Sequence, residues 1–264
     1  MFTHLDFDLD EGTGIATVTL NRPHAMNAIT QTMLEDFERL WLRARSDDAI
    51  RLILLRGHPD SRGFTSGADV KGGDDGNDRI ARHDNVFANR PAVEYLSPRW
   101  HQMWKPIVTA VHGVCAGAGL FLINESDIVL CAPDAQFFDP HLSIGITSAI
   151  GPVGMSRRVN LGEVLRFTLM SNTERLGAET AVRIGLATEI VVHEKLMDRA
   201  MEIAAIIAGH DTVAVQGSLK GIWQGMDIGR AAAIERASLY SDAARASSPN
   251  RLKPLSGKIP YSVR

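Results

Sequence analysis

The chain has 264 residues, of which 45% are hydrophobic and 22% charged, and a formal net charge of −3. That length holds one large domain or two small ones around a substantial core. The slightly negative balance gives no electrostatic basis for nucleic acid or an anionic membrane as the main partner. Its two cysteines, Cys115 and Cys131, lie in apolar, strand-like surroundings, which predicts a buried reduced pair and a cytoplasmic setting. The first six residues show no basic stretch followed by an apolar one, so no secretion signal is expected.

Residues 5–9 and 14–20 alternate as strands do, with Glu11-Gly12-Thr13-Gly14 as the turn between them. Thr30 is placed to cap a helix in which Met33, Leu34, Phe37, Leu40 and Trp41 share one face. A strand over 52–56 leads into a glycine-rich turn, Gly63-Phe64-Thr65-Ser66-Gly67-Ala68-Asp69-Val70-Lys71. Residues 71–89 are polar and are expected to form a mobile surface loop edging a pocket. A helix is predicted from about Ala92 to Trp104, ended by Pro106.

Residues 106–124 contain no Asp, Glu, Lys or Arg and approach membrane-spanning length. Pro106, Gly113, Gly117 and Gly119 interrupt them, however, and Glu125 and Asp127 close them. The reading is a buried strand, the tight turn Ala110-Val111-His112-Gly113-Val114-Cys115-Ala116-Gly117-Ala118-Gly119, and a helix starting near Ala118. Residues 127–131 form the next strand. From Leu196 onward, helical patterns around 196–208, 213–223 and 231–244 present apolar faces that need a partner surface. The order predicts a wound α/β core over 1–195 and a helical region over 196–264.

Two strand-to-turn segments built of small residues are the chemically informative part. Glycine and alanine let a ligand approach the backbone closely. The first N–H groups of a helix lack internal partners and sit at its positive end, which suits them to hold an oxyanion. Neither segment has the spacing of a dinucleotide fingerprint or the lysine of a P-loop. Gly-x-Ser-x-Gly is absent, and no His, Cys, Asp or Glu cluster has metal-site spacing.

Together with Asn21-Arg22-Pro23, Asn27-Ala28, Lys105-Pro106 and Asp127-Ile128, these segments resemble the crotonase (enoyl-CoA hydratase/isomerase) superfamily over nearly the whole chain. The resemblance implies an α/β spiral of repeated strand-strand-helix units with a C-terminal helical region that assembles a homotrimer, or a hexamer as a dimer of trimers. It implies an acyl-coenzyme A thioester substrate, with coenzyme A part of the substrate and no separate cofactor. The oxyanion hole falls on the N–H groups of Ala68 and Ala118. The implied substrate-binding set is Ala25, Ser66, Gly67, Ala68, Asp69, Val70, Gly117, Ala118, Phe121 and Pro140.

The departure lies in the acid–base groups. Hydratases of this family use two glutamates, one three residues beyond the second oxyanion donor and one after a proline that follows the next short strand. Here those positions hold Phe121 and, in Asp139-Pro140-His141, His141. Phenylalanine transfers no proton. Imidazole titrates near neutral pH and serves as a general acid or base. Asp139, two residues earlier, shares a face with His141 in an extended segment and is positioned to orient its ring.

Glu125, one helical turn past Phe121 and about 6 Å further from the helix start, is a candidate substitute carboxylate, with a salt-bridge or helix-end role the favoured reading. Asp69 and Asp127 are expected to hold a loop and a strand start, and His101 to line the edge of the core. The expected activity is single-base, isomerase-like chemistry on an acyl-CoA thioester rather than hydration. The alternatives are a coenzyme A-independent β-diketone C–C hydrolase and a catalytically silent acyl-CoA-binding protein.

Overall fold

The computed structural model describes residues 1–74, 76–80, 88–247 and 261–263. Strand β1 (Leu5–Asp10) turns back antiparallel onto β2 (Ile15–Leu20), with Gly14 at φ 74° completing the turn. Helix α1 (Gln31–Ser46) follows, and the Thr30 hydroxyl accepts the Met33 N–H at 3.2 Å as its cap. The chain then delivers strands in pairs: β3 (Leu52–Gly57) with β4 (Gly63–Thr65), and, after α2 (Ala92–Leu96), β5 (Ile107–Val111) with β6 (Val114–Ala116). Helix α3 (Gly119–Asn124) leads to β7 (Ile128–Cys131) with β8 (Gln136–Phe138). Helices α4 (Ile150–Met155) and α5 (Leu161–Met170), strand β9 (Leu176–Gly177), helix α6 (Ala178–Arg183), strand β10 (Glu189–Ile190) and helix α7 (Leu196–Ala208) complete this part.

The first member of each strand pair joins a six-stranded sheet of order β1-β2-β3-β5-β7-β10, parallel from β2 onward. The second joins a four-stranded sheet of order β4-β6-β8-β9, in which β4, β6 and β8 run parallel. This is the expected spiral. Strand β3 shows why it is stable: Ile53 and Leu55 point into the main core and Leu52 and Leu54 into a second cluster. Both faces are therefore covered, as a parallel sheet requires.

The other cover is α7, whose Ala200, Ala204 and Ala208 lie every fourth residue and let the helix settle against Leu52, Leu54, Val108 and Leu130. One compact unit accordingly spans Met1–Thr212, so the division expected between 195 and 196 falls one helix too early. The second unit, from Val213, contains α8 (Thr212–Gly225, less its first residue) and α9 (Arg230–Ser247). Gly217, Gly221 and Gly225 on α8 face Tyr240, Ala237 and Ala233 on α9, so glycine at every fourth position lets an antiparallel helix approach.

The helix expected over 92–104 stops at Leu96. Pro98 disfavours helical geometry at Ser97, which is extended (φ −86°, ψ 115°), and the chain continues in turns with Gln102 at φ 56°. Of the predicted mobile loop, Asp75 and residues 81–87 lie outside the described residues. Within the described part, Asp74 pairs with Arg22 and His24, and Asp78 accepts the Thr32 N–H at 2.8 Å. Cys115 and Cys131 are both free and buried. Among the described residues, no helix is long and apolar enough to cross a membrane, and no group of His, Cys, Asp or Glu is arranged to hold a metal.

Candidate active site

Because β4, β6 and β8 are parallel neighbours, with one register shift between β4 and β6, their carboxyl ends deliver three segments side by side: Ser66–Asp69, Gly117–Gly119 and Asp139–His141. Contacts built on the glycines show how close they come. A Cβ added to Gly67 (φ 92°) would sit 2.8 Å from the Ala116 carbonyl oxygen and 3.4 Å from the Ala118 nitrogen. One added to Gly117 (φ 51°) would meet Pro140 Cδ at 3.7 Å, His141 Cε1 at 3.8 Å and Gly67 Cα at 3.9 Å. Both glycines hold left-handed geometry, and a side chain at Gly67 would drive the two turns apart.

Several of the backbone donors in these turns are committed. Ser66 N–H binds the Met26 carbonyl, Gly67 N–H the Thr65 hydroxyl and Asp69 N–H the Ile29 carbonyl. Between them, the N–H of exposed Ala68 has no acceptor among the described residues. In the second turn, Gly117 N–H donates to the Phe138 carbonyl at 3.2 Å, and Leu120 and Phe121 bond back to Gly117 and Ala118. The N–H groups of Ala118 and Gly119 have no acceptor among the described residues. Two turns in contact thus each leave a backbone N–H without an acceptor among the described residues.

The first turn is braced from behind. Asn27 donates to the carbonyls of Gly63 and Phe64, and its own carbonyl accepts the Thr65 hydroxyl at 2.7 Å. Arg22, 2% exposed, donates to Asp69 Oδ2 at 2.9 Å and to the Ala28 carbonyl at 2.7 Å. The Asp69 carboxylate also accepts the N–H groups of Lys71 and Gly72. Burial opposes its charge, but the Arg22 and backbone hydrogen bonds prevail and hold it below the usual carboxylate range. Asp69 thus fixes the loop after Ala68, as expected for a structural role. Ala25 and Ser66 lie half-buried beside this brace, while Val70 is exposed.

His141 stands half-buried over Gly117. Its ring Nδ1–H and its backbone N–H both donate to Asp139 Oδ1, confirming the pairing expected from their spacing. The Ser148 hydroxyl donates to Asp139 Oδ2 at 2.8 Å. The hydrogen bond to Asp139 raises the His141 pKa above its ordinary value, with burial opposing. For Asp139, 2% exposed, burial opposes the charge, yet the hydrogen bonds from His141 and Ser148 keep the carboxyl below the usual range. With Nδ1 committed, the ring presents Nε2 as the exchangeable site.

The remaining expected residues sit elsewhere. Phe121, 9% exposed, packs into the core, with its Cε1 3.4 Å from where a Cβ on Gly151 of α4 would lie. Glu125 caps the far end of α3 and accepts the Ser97 hydroxyl at 3.0 Å, so it does not join Ala118 and His141. Burial raises its pKa, with Ser97, Arg99 and Arg158 opposing. Asp127 accepts the Ile107 N–H and Arg99, holding its strand start, and His101 Nε2 bonds the Glu94 carbonyl at 2.9 Å. Sequence reasoning missed Ser148 and Ser171, whose hydroxyls meet Asp139 from 9 and 32 residues away. No local pattern marks either of them.

Comparison with known proteins identifies the family and the fold. The sequence pattern of the enoyl-CoA hydratase/isomerase family matches residues 10–227. A short-chain-enoyl-CoA hydratase of Clostridium acetobutylicum is 30% identical over 224 residues, covering 84% of this chain and 83% of that protein. A mevalonyl-coenzyme A hydratase of Aspergillus fumigatus is also 30% identical over 224 residues, covering 85% and 79%. The crystal structure of an enoyl-CoA hydratase/isomerase from Mycobacterium paratuberculosis superimposes with a TM-score of 0.83 at 33% identity, covering 93% of this chain and 91% of that one. A family pattern spanning most of the chain, relatives of this identity and coverage, and a matching fold lead to one conclusion: the chain belongs to the enoyl-CoA hydratase/isomerase family.

Proposed function

We propose that this enzyme acts on an acyl-coenzyme A thioester, polarising the thioester carbonyl between the N–H groups of Ala68 and Ala118 and moving a single proton with His141. The thioester substrate is supported by the names of the relatives, which act on enoyl-CoA and mevalonyl-CoA. The observation that carries the chemistry is the Asp139-backed imidazole lying against Gly117, beside both turns. Nε2 removes a proton from the carbon next to the thioester, the charge moves onto the carbonyl oxygen, and the two N–H groups stabilise it. Return of the same proton to the γ carbon shifts a double bond and regenerates the neutral imidazole. The balance closes without a cofactor beyond the coenzyme A of the substrate.

Hydration through paired carboxylates is disfavoured, because Phe121 carries no ionisable group and Glu125 is bound to Ser97. The test is a direct comparison of crotonyl-CoA hydration with 3-enoyl-CoA isomerisation. Isomerisation without appreciable hydration supports the proposal, and fast hydration overturns it. The same Asp139–His141 pair favours a second reading, in which Nε2 activates water against a cyclic β-diketone held between the same N–H groups. Turnover of diketones and not of thioesters selects that reading. Thioester binding without turnover of either selects a silent binder.

A homotrimer, or a dimer of trimers, belongs to the same proposal. Leu161, Leu165 and Leu169 expose one apolar stripe on α5, at 65%, 48% and 69%. Ile222, Ile234 and Leu239 are exposed on α8 and α9. Light scattering on the full-length protein distinguishes three or six copies from a stable monomer, which contradicts the assembly.

A further inference from the structure

The Asp139 side chain is held by more than its histidine. Oδ1 takes both His141 donors, and Oδ2 takes the Ser148 hydroxyl, the only Oδ2 donor among the described residues. Ser148 is itself 9% exposed, so its hydroxyl is spent inside the protein. The backbone of the same residue is fixed separately. The Asp139 carbonyl accepts the Ser171 hydroxyl at 2.8 Å, and Ser171 Oγ in turn accepts the N–H of Ser143 and meets its hydroxyl at 3.0 Å. Ser171 holds φ 50°, ψ −129°, a geometry that non-glycine residues rarely adopt and that persists when surrounding contacts enforce it. With the main chain of Asp139 braced in this way, Ser148 is left to act on the carboxylate.

We propose that Ser148 is a positioning residue for the proton-transfer group, setting the orientation and the basicity of His141 through Asp139. This inference rests on the reading of His141 given above. A hydroxyl that donates to Oδ2 draws electron density from the carboxylate that Oδ1 presents to the imidazole. It therefore limits how strongly Asp139 stabilises the imidazolium, and keeps more of the ring neutral and able to accept a proton. No other charged group described around the pair replaces this effect. Arg175 lies over the Phe138 ring and donates to Gln136, Arg166 pairs with Glu174, and Asp69 pairs with Arg22.

The experiment is NMR titration of the His141 Cε1–H in the full-length, unliganded protein, with the signal assigned from the spectrum of His141→Gln. Ser148→Ala moves the midpoint upward, and Ser148→Thr, which keeps a hydroxyl, holds it at the wild-type position. In the alanine variant, turnover at neutral pH falls roughly 3- to 10-fold and recovers as pH rises, with KM unchanged. If the alanine variant does not fold, Ser148→Cys carries the same expectation through a weaker donor. An unmoved or lowered midpoint overturns the inference whatever the activity shows. Undiminished turnover in His141→Ala overturns the proposed chemistry instead, and leaves the titration to judge Ser148 alone.

Discussion

At the Glu125 end of α3, polar groups close on one another: Glu125 takes the Ser97 hydroxyl, Asp127 takes Arg99, and Arg158 donates to the carbonyls of Asn124 and Ser126. At the Ala118 end, seven residues away across the same short helix, two backbone N–H groups are left without acceptors among the described residues, and an imidazole keeps Nε2 outward from its pair with Asp139. Both ends contain a carboxylate bound by a serine. Among the described residues, only one of them sets backbone N–H groups without acceptors beside an imidazole whose Nε2 is uncommitted. Charge and burial alone do not separate a site from a structural knot. Backbone N–H groups without acceptors beside an outward imidazole, held in place by the bonds behind them, do.

Removing an unspent donor gives the largest expected effect. Ala118 sits at φ −61°, ψ −20°, where proline fits, so Ala118→Pro deletes one N–H with limited change at that residue. Turnover is expected to fall by about 10²- to 10³-fold, measured by steady-state kinetics with circular dichroism to verify the fold. Unchanged turnover in a folded variant breaks the comparison at its open end. His141→Ala follows, with a loss on the order of 10²-fold carried mainly by kcat.

A smaller effect is read in the pH profile. Because Asp139 holds the His141 pKa above its ordinary value, a His141 base becomes neutral only above that raised value, and turnover rises with pH through it. Asp139→Asn removes the cause, and the rising limb moves to lower pH. The linked contribution to stability is present in full below the unfolded-state histidine pKa of about 6.5. It is lost as pH rises through the folded value. Thermal unfolding of wild type against Asp139→Asn across that window measures it.

The smallest effect belongs to the closed end. Glu125→Gln is expected to change turnover by less than about twofold. Burial raises the Glu125 pKa, so its ionisation costs stability as pH rises through the folded value. The glutamine variant is therefore as stable as wild type at low pH and equal or better at neutral pH. A large loss of turnover in this variant would make Glu125 the missing carboxylate and erase the contrast between the two ends.

Much of this was legible in the chain because it was local. The Thr30 cap, the start of α3 at Ala118, the glycine-rich turns and the i, i+2 pairing of Asp139 with His141 all depend on residues within a few positions of one another. The second sheet was not legible, because β4, β6 and β8 are three residues each, too short for an alternating pattern to register. Yet their parallel register is what brings Gly67, Gly117 and His141 together. Ser148 and Ser171 were invisible for the related reason that their partner lies across the fold. The boundary after 195 failed because an alanine-rich helix face reads as generic amphipathicity, whereas in the structure Ala200 and Ala204 lie flush on the first sheet.

The central claim is that His141 removes a proton next to a thioester whose carbonyl is held by Ala68 and Ala118. Proton exchange at the α carbon reports this step alone. Butyryl-CoA incubated with the enzyme in D2O, followed by NMR, is expected to lose its α-proton signal at a rate that His141→Ala lowers on the order of 10²-fold. Exchange no faster than in buffer, or equally fast in the alanine variant, would contradict the account.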